Sequence, residues 1–386
     1  MRTLLFTALA AASFTALAAQ PLLPAGGNDQ VPLRVVSLPA PTGQFERAPV
    51  SFSWALDPAD ALAVPAPHLA ESREYWQTVD AAELGSGVDI ELSAPGALIR
   101  VSPGRGARGL MPADLELAGN GKAARLEKTA SDAELKAAGM DVEAGTAMVR
   151  VSKENARGRY TLRIPKASGQ YLLHVFEPDS LVVLKARANR NHAVVGDTVM
   201  VDIALSDAGR SIAAQAEALL VAPDGDSQPV AVTQGSDGRL SASVRLPATA
   251  SATPGLWELQ VFASGEGLQR DARTAFAVAQ PTARFKGDHA VNMQLLRVAL
   301  PVEAGSPGRY EARGTLYASG PDRVLHPVAQ AHVAAWFERG DGMLVLDFDR
   351  KHLPAGYGAP FEVRQLELHD QTRMAPLEIR GRGVRF

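Results

Sequence analysis

Histidines and acidic residues are concentrated near the end of the chain, where they could form a metal site or an acid–base pair. Roughly the last quarter of the sequence contains five of the eight histidines. In an alternating strand pattern, Asp347 and Asp349 share the face opposite the apolar residues. His352 follows closely, and His369 with Asp370 lies on a later strand that could pair nearby. These five residues are candidate ligands for a divalent metal, or candidates for acid–base chemistry. An ordinary solvated sheet edge is the alternative.

An aromatic pair, Tyr75 and Trp76, stands between charged residues earlier in the chain. Exposed aromatic rings can stack on sugar rings, so the pair is a candidate binding site. Large aromatic side chains also dominate protein cores, so burial of one or both rings in a first domain is the alternative.

Other catalytic and cofactor signatures are missing from the sequence. The chain has no cysteine, which excludes disulfides, thiolate catalysis and a lipid anchor on an N-terminal cysteine. It has neither the G-x-S-x-G motif of a nucleophile elbow nor the H-E-x-x-H motif of a zinc pair. The acidic turn Asp224-Gly225-Asp226 lacks the further oxygen ligands of a calcium loop. We therefore expect no cofactor.

The overall charge and the N-terminal segment indicate where the protein acts. A net charge of −3 and a pI near 6.3 give no reason to expect nucleic acid or an anionic membrane as a partner. Residues 1–19 combine Arg2, an apolar run and the A-x-A site Ala16-Leu17-Ala18, which is typical of a signal peptide. No later stretch is long enough to span a bilayer. We expect an exported protein, periplasmic or extracellular.

Alternating apolar residues predict half-buried antiparallel strands along most of the chain. The alternation is clear in Val50-Ser51-Phe52-Ser53-Trp54, in the stretch 199–205 and again from Trp257 to Val261. Helix is scarce: Ser131 and Glu134 form a capping box, which predicts one short helical insertion near 131–138. The predicted fold class is all-β.

An internal repeat indicates successive β-sandwich domains. Residues 158–176 and 238–262 share Gly-Arg, an alternating strand, a proline, and the ending Gly-x-aromatic-x-Leu-x-Val-Phe. Each copy is predicted to be a hairpin near the end of a domain. From about residue 181 to residue 279, a stretch that includes the second copy, about seven strands are expected, the number of an Ig-like middle domain. The organisation predicted from these patterns is a signal peptide (1–19), a flexible leader (20–30), an N-terminal β domain (31–178), an Ig-like sandwich (179–280) and a C-terminal β domain (281–386).

The segment from Ser72 to Arg100 resembles a bacterial exported family that is known only as a domain of unknown function, number forty-seven eighty-five. The resemblance is carried by the stretches SREYWQT, LGSGV and SAPGALIR. It implies a signal peptide, an N-terminal β domain that holds this segment, an Ig-like middle domain and a C-terminal β domain. The family brings no assigned activity, cofactor or catalytic residue.

These observations favour a non-catalytic, exported multidomain β protein that acts as a binding or interaction module. An envelope protein, a surface glycan or a host component is the expected kind of partner, without nucleic acid, a membrane span or a lipid anchor. The alternative is a secreted hydrolase, or an accessory domain of one, with a site on the C-terminal domain. Convergent ionisable groups in a deep pocket would favour an enzyme, whereas an exposed face would favour binding.

Overall fold

The structure is a computed structural model that describes residues 19–60, 62, 65–251 and 253–386. The predicted signal peptide and its cleavage site fall almost wholly outside these residues. The described chain forms three β-sandwiches in succession, each around a hydrophobic core of its own. Among the described residues, no helix has the length and apolar character required to cross a membrane.

The described residues up to 178 contain eleven strands and two short α-helices. In chain order they are β1 (Val50–Ala55), β2 (Leu69–Ser72), β3 (Glu74–Asp80), α1 (Ala81–Ser86), β4 (Val88–Leu92), β5 (Leu98–Pro103), β6 (Glu116–Gly119), β7 (Lys122–Ala123), β8 (Leu126–Ser131), α2 (Asp132–Ala137), β9 (Ala147–Val151), β10 (Gly158–Arg163) and β11 (Gln170–Phe176). The N-terminal sandwich packs the sheet β4-β10-β6-β7 against the sheet β3-β11-β5-β9-β8.

Both helices are single capped insertions between strands. The Ser131 side chain accepts a hydrogen bond from the Glu134 amide, and the Glu134 carboxylate accepts one from the Ser131 amide. Asp80 and Glu83 cap α1 in the same way. Each capping box satisfies backbone donors that a helix start leaves free, so the predicted insertion near 131–138 is confirmed.

The middle domain is a sandwich of Ig-like layout. Its strands are β12 (Val182–Ala188), β13 (His192–Val194), β14 (Thr198–Asp207), β15 (Arg210–Ser211), β16 (Gln215–Val221), β17 (Ser227–Val230), β18 (Val232–Gln234), β19 (Leu240–Arg245), β20 (Trp257–Gly265) and β21 (Leu268–Ala279). One sheet has the order β18-β19-β14-β12-β2, and the other has the order β13-β21-β20-β16-β17. All strand pairs in these two sheets are antiparallel except the parallel pair β13–β21. Trp257 lies in the core between them, as its alternation with Leu259 and Val261 indicates.

The internal repeat corresponds to the same structural step in both domains, although the step is not a hairpin. β10 and β11 lie in opposite sheets of the first sandwich, and β19 and β20 lie in opposite sheets of the second. Pro165 and Pro247 therefore fall in the crossover between sheets, where a missing N–H donor breaks no ladder. Pairing of the two strands with each other was the wrong expectation.

The C-terminal domain packs a wide sheet against a narrow one. Its strands are β22 (Ala283–Phe285), β23 (Ala290–Asn292), β24 (Arg297–Ala304), β25 (Gly308–Ser319), β26 (Leu325–Phe337), β27 (Gly340–Asp347), β28 (Gly358–Asp370) and β29 (Ala375–Arg385). The wide sheet has the order β1-β26-β25-β28-β29, and in the narrow sheet β24 pairs with β22, β23 and β27. β1 is thus an edge strand of the C-terminal domain.

The N-terminal segment belongs structurally to the later domains. Residues predicted to form a flexible leader lie along the C-terminal domain: Gln20 forms a β-bridge with His289, and Gln30 forms one with Ile379. β1 pairs with β26, and β2 pairs with β12 of the middle domain. The boundary predicted at residue 31 therefore does not coincide with the strand pairing, because the first sandwich starts only at β3.

Candidate functional site

The apolar side chains of β1 face solvent. Val50, Phe52 and Trp54 are 42%, 52% and 38% exposed, and only Ser53 of the strand is half-buried. β1 is held by backbone pairing to β26 along one edge and has no strand on its other edge. The alternation was expected to mark a half-buried strand; the apolar set is instead presented outwards. Large exposed apolar side chains grouped on one face are typical of interaction sites.

The rings on this face form two groups, Trp54-Phe52-His332 and Phe45-Trp336, which together we call the aromatic strip. The Phe52 ring is 5.8 Å from the Trp54 ring and 5.2 Å from the His332 ring, with interplanar angles of 17° and 18°. Trp336 lies on the same face of β26 as His332, with Phe45 6.2 Å from it. Two of the four tryptophans of the chain thus lie in this strip.

Arg47 extends the strip at its Trp336 end. Its guanidinium lies 4.3 Å from the centre of the Trp336 ring, within the range of a cation–π contact. The Trp336 indole N–H donates to the Glu338 carboxylate at 2.8 Å. These contacts orient the indole at the surface.

A network of paired charges lies beside the aromatic strip on the same face of the sheet. Cross-strand register places Phe52 opposite His332, His332 opposite Arg313, and Arg313 opposite Glu367. Paired residues of adjacent strands project from the same face. The next row adds Glu311 opposite His369. The C-terminal sheet therefore carries aromatic rings at its β1 edge and charged groups towards its centre.

Each carboxylate of this network is held by a neighbour. The Glu311 carboxylate is 2.6 Å from His332 Nδ1 and accepts a 3.0 Å hydrogen bond from the Gln371 amide. The hydrogen bond with His332 lowers the pKa of Glu311. Burial opposes ionisation of Glu367, but the contacts with His369 and Arg313 outweigh it and lower the pKa of Glu367. Both groups are ionised acceptors at neutral pH.

The predicted metal candidates near β27 do not converge with those on β28. Asp347 accepts a hydrogen bond from Arg297 at 2.7 Å, and Asp349 pairs with Lys351. His352 Nδ1 lies 3.1 Å from the Phe348 carbonyl oxygen. β27 belongs to the narrow sheet and β28 to the wide one, so the assumed pairing of the two strands is wrong.

His369 and Asp370 have separate environments although they are adjacent in sequence. His369 Nε2 lies 2.7 Å from the Glu367 carboxylate on the outer face. Asp370 is fully buried, and it accepts hydrogen bonds from the Thr282 hydroxyl and the Arg373 guanidinium, each at 2.7 Å. Within the part of the chain that the structure describes, no three His, Asp or Glu residues are grouped closely enough to hold a metal ion.

Tyr75 and Trp76 point to opposite sides of β3. Tyr75 is 4% exposed and belongs to the core of the first sandwich. Trp76 is half-buried, stacks on His174 with ring centres 3.7 Å apart, and faces Arg100 at 5.0 Å. Its backbone N–H donates to the Asp271 carboxylate of the middle domain at 2.7 Å. Trp76 therefore lies at the junction of two domains, where His174 and Arg100 cover part of its ring.

Asp271 at this junction makes the stability of the protein depend on pH. Burial raises the pKa of Asp271 to about 6, against the hydrogen bond from Trp76. Between about pH 4 and pH 6, the Asp271 carboxyl is protonated to a greater extent in the folded protein than in the unfolded chain. Its contribution to stability therefore falls as the pH rises through that window. Relative to Asp271→Asn, the free energy of unfolding of the native protein should fall by up to ~1.4 kcal/mol per pH unit there. Urea titrations across the window measure this difference.

Asp202→Asn is the matched control for this prediction, since Asp202 is exposed on β14. The free energy of unfolding of Asp202→Asn should change with pH in the same way as that of the native protein. If the free energy of unfolding of Asp271→Asn also changes with pH as that of the native protein does, the prediction is wrong.

The aromatic strip was missed by the sequence analysis, which assigned stacking to Tyr75 and Trp76. The available signal was the composition of β1, whose alternate residues are serines rather than larger polar groups. That signal predicts one apolar face correctly. It does not tell whether another layer covers that face.

The fold and this face define a protein of three consecutive β-sandwiches with an exposed aromatic surface. Residues 41–177 match the Domain of unknown function (DUF4785) N-terminal domain, and residues 282–386 match the DUF4785 C-terminal domain. The chain belongs to this family. A search of curated proteins found no match.

A solved structure agrees with the fold. A DUF4785 family protein from Legionella pneumophila has 19% sequence identity and a TM-score of 0.63, over 92% of this chain and 98% of that one. A trypsin-activated alpha-2-macroglobulin from Escherichia coli has 15% identity and a TM-score of 0.22, over 73% of this chain and 21% of that one.

Proposed function

We propose that this protein is an exported, non-catalytic binding protein and that its binding surface is the outer face of the C-terminal wide sheet. The exposure of Val50, Phe52 and Trp54 on β1 carries this proposal. Fully burying an apolar side chain of this kind contributes ~1.5–3 kcal/mol, and these three, roughly half exposed, forgo about half of that amount. A ligand that covers them recovers part of that free energy.

The neighbouring polar groups support a binding role. Glu311 and Glu367 are ionised acceptors in fixed positions, since His332, Arg313 and His369 hold them. Tryptophan and arginine are also the residues that most often dominate binding energy at interfaces. The exposed rings offer apolar contact, and the partly covered carboxylates beside them offer hydrogen bonds, which together orient a ligand.

Export is the second part of the proposal and rests on the N-terminal sequence. The apolar run that ends at Ala16-Leu17-Ala18 supports cleavage beside Ala18. N-terminal sequencing of the protein recovered outside the cytoplasm should begin close to Ala19. A sequence that starts at Met1 would contradict export by this route.

Binding is tested by sedimenting the purified mature protein with an insoluble envelope fraction from the producing cells. Replacing Phe52 and Trp54 together by serine should lower the bound fraction at least about tenfold, because aromatic anchors contribute most of the binding energy of such surfaces. The matched control is Leu172→Ser, which removes an apolar side chain that is 39% exposed on the N-terminal sandwich.

The control variant should sediment as the native protein does, and all three proteins should unfold at the same denaturant concentration. Equal sedimentation of the double variant and the native protein, or no sedimentation of either, would overturn the proposed binding surface.

A further inference from the structure

We propose that the aromatic strip binds an uncharged saccharide chain that lies along β1 and β26. This inference rests on the proposed function and specifies the class of ligand. Pyranose rings have one or two faces of C–H groups surrounded by hydroxyls. They therefore suit a surface of flat rings bordered by hydrogen-bonding groups.

The arrangement of the rings supplies the apolar part of such a site. Phe52 and His332 are nearly parallel, as are Phe52 and Trp54, and both β1 rings are at least 38% exposed. Aromatic side chains present their flat faces with little loss of conformational freedom, since they have two rotatable bonds. A flat, rigid surface fits a sugar ring better than it fits an aliphatic side chain, which needs a pocket.

Each carboxylate beside the strip already has a hydrogen-bonded partner. Glu311 is paired with His332, and Glu367 with both Arg313 and His369. A charged ligand or an oppositely charged protein patch would need unpaired charges for electrostatic complementarity. Hydroxyl groups can instead donate to the carboxylates and accept from the Gln371 amide or the histidines without breaking the pairs. The network therefore favours a neutral, hydroxyl-rich ligand.

The strip is long enough for several sugar units. Trp54 pairs with Gln330, and Trp336 lies six residues farther along β26, which corresponds to ~20 Å at ~3.3 Å per residue. Rings lie at both ends of this length, and the exposed side chain of Val50 lies between them on the same face. A linear chain would contact them in succession, whereas a monosaccharide would cover only one end.

A protein strand is the competing occupant, because the free edge of β1 could pair with another chain. A saccharide and a protein strand can be destroyed selectively, because periodate cleaves the vicinal diols of sugars and protease cleaves peptide bonds. The deciding experiment is sedimentation of the native protein with envelope pretreated with periodate or with protease. Periodate treatment should lower binding at least about tenfold, and protease treatment should leave it unchanged.

Substitutions at Trp54 test whether the ligand binds at the aromatic strip. Trp54→Ala should lose binding to untreated envelope, and Trp54→Phe should restore most of it, because phenylalanine retains a flat ring. Trp76→Ala is the matched control, since Trp76 is at the domain junction. Neutral oligosaccharides released from the envelope by mild hydrolysis, titrated by tryptophan fluorescence, should compete with the sedimentation.

The outcomes separate the two proposals. Binding that depends on Trp54 but is abolished by protease and resists periodate would overturn the saccharide and keep the binding face. Binding that does not depend on Trp54 under any treatment would overturn both.

Discussion

Replacing Arg270 by methionine should lower the free energy of unfolding by about 3–5 kcal/mol, because the change leaves a buried carboxylate without its partner. Arg270 of β21 and Glu177, which follows β11, have no exposed side-chain surface and lie 2.5 Å apart. The guanidinium also donates to the Ser93 and Ser180 hydroxyls and to the Val182 carbonyl. This ion pair links the N-terminal sandwich to the middle domain.

Equilibrium unfolding in urea, followed by circular dichroism, measures the loss. Lys153→Met is the matched control, because it breaks an exposed ion pair with Asp179; exposed pairs contribute ~0.2–1 kcal/mol. The double variant Arg270→Met/Glu177→Gln should recover part of the stability, since glutamine keeps an acceptor for the Ser93 and Ala94 amides. A loss no larger than that of the control would contradict the buried-pair argument.

Truncating Trp257 to alanine should cost about 3–5 kcal/mol, the range for removing a buried aromatic side chain. Trp257 is 6% exposed and packs in the core of the middle domain, opposite Phe276 on the neighbouring strand. The residue before it, Leu256, is 57% exposed. Leu256→Ala is therefore a control at the adjacent position, and it should change stability by less than ~0.5 kcal/mol.

The measurement is a denaturant titration with a probe specific to the middle domain, such as hydrogen exchange of β14 and β20 amides. A loss below ~1 kcal/mol for Trp257→Ala would show that the ring contributes little to the core. Similar losses of stability for Trp257→Ala and Leu256→Ala would lead to the same conclusion.

Local features of this protein were determined by the sequence alone. The alternation around Trp257 placed that residue in a core, and about seven strands were expected in the middle domain, which has ten because several short ones add to the long ones. Ser131 and Glu134 predicted α2, because a capping box involves only residues three apart. Each of these conclusions depends on neighbours along the chain.

The positions of β1 and of the candidate ligands were decided only by the tertiary structure. β1 pairs with β26, roughly 280 residues away, so its sequence contained no information about the domain it joins. Likewise, the acids at the end of β27 and the histidine on β28 were expected to converge, but their strands lie in opposite sheets. A period of two shows that the two faces of a strand differ. Whether the apolar face becomes core or binding surface depends on which sheet the strand joins and on whether a second layer covers it.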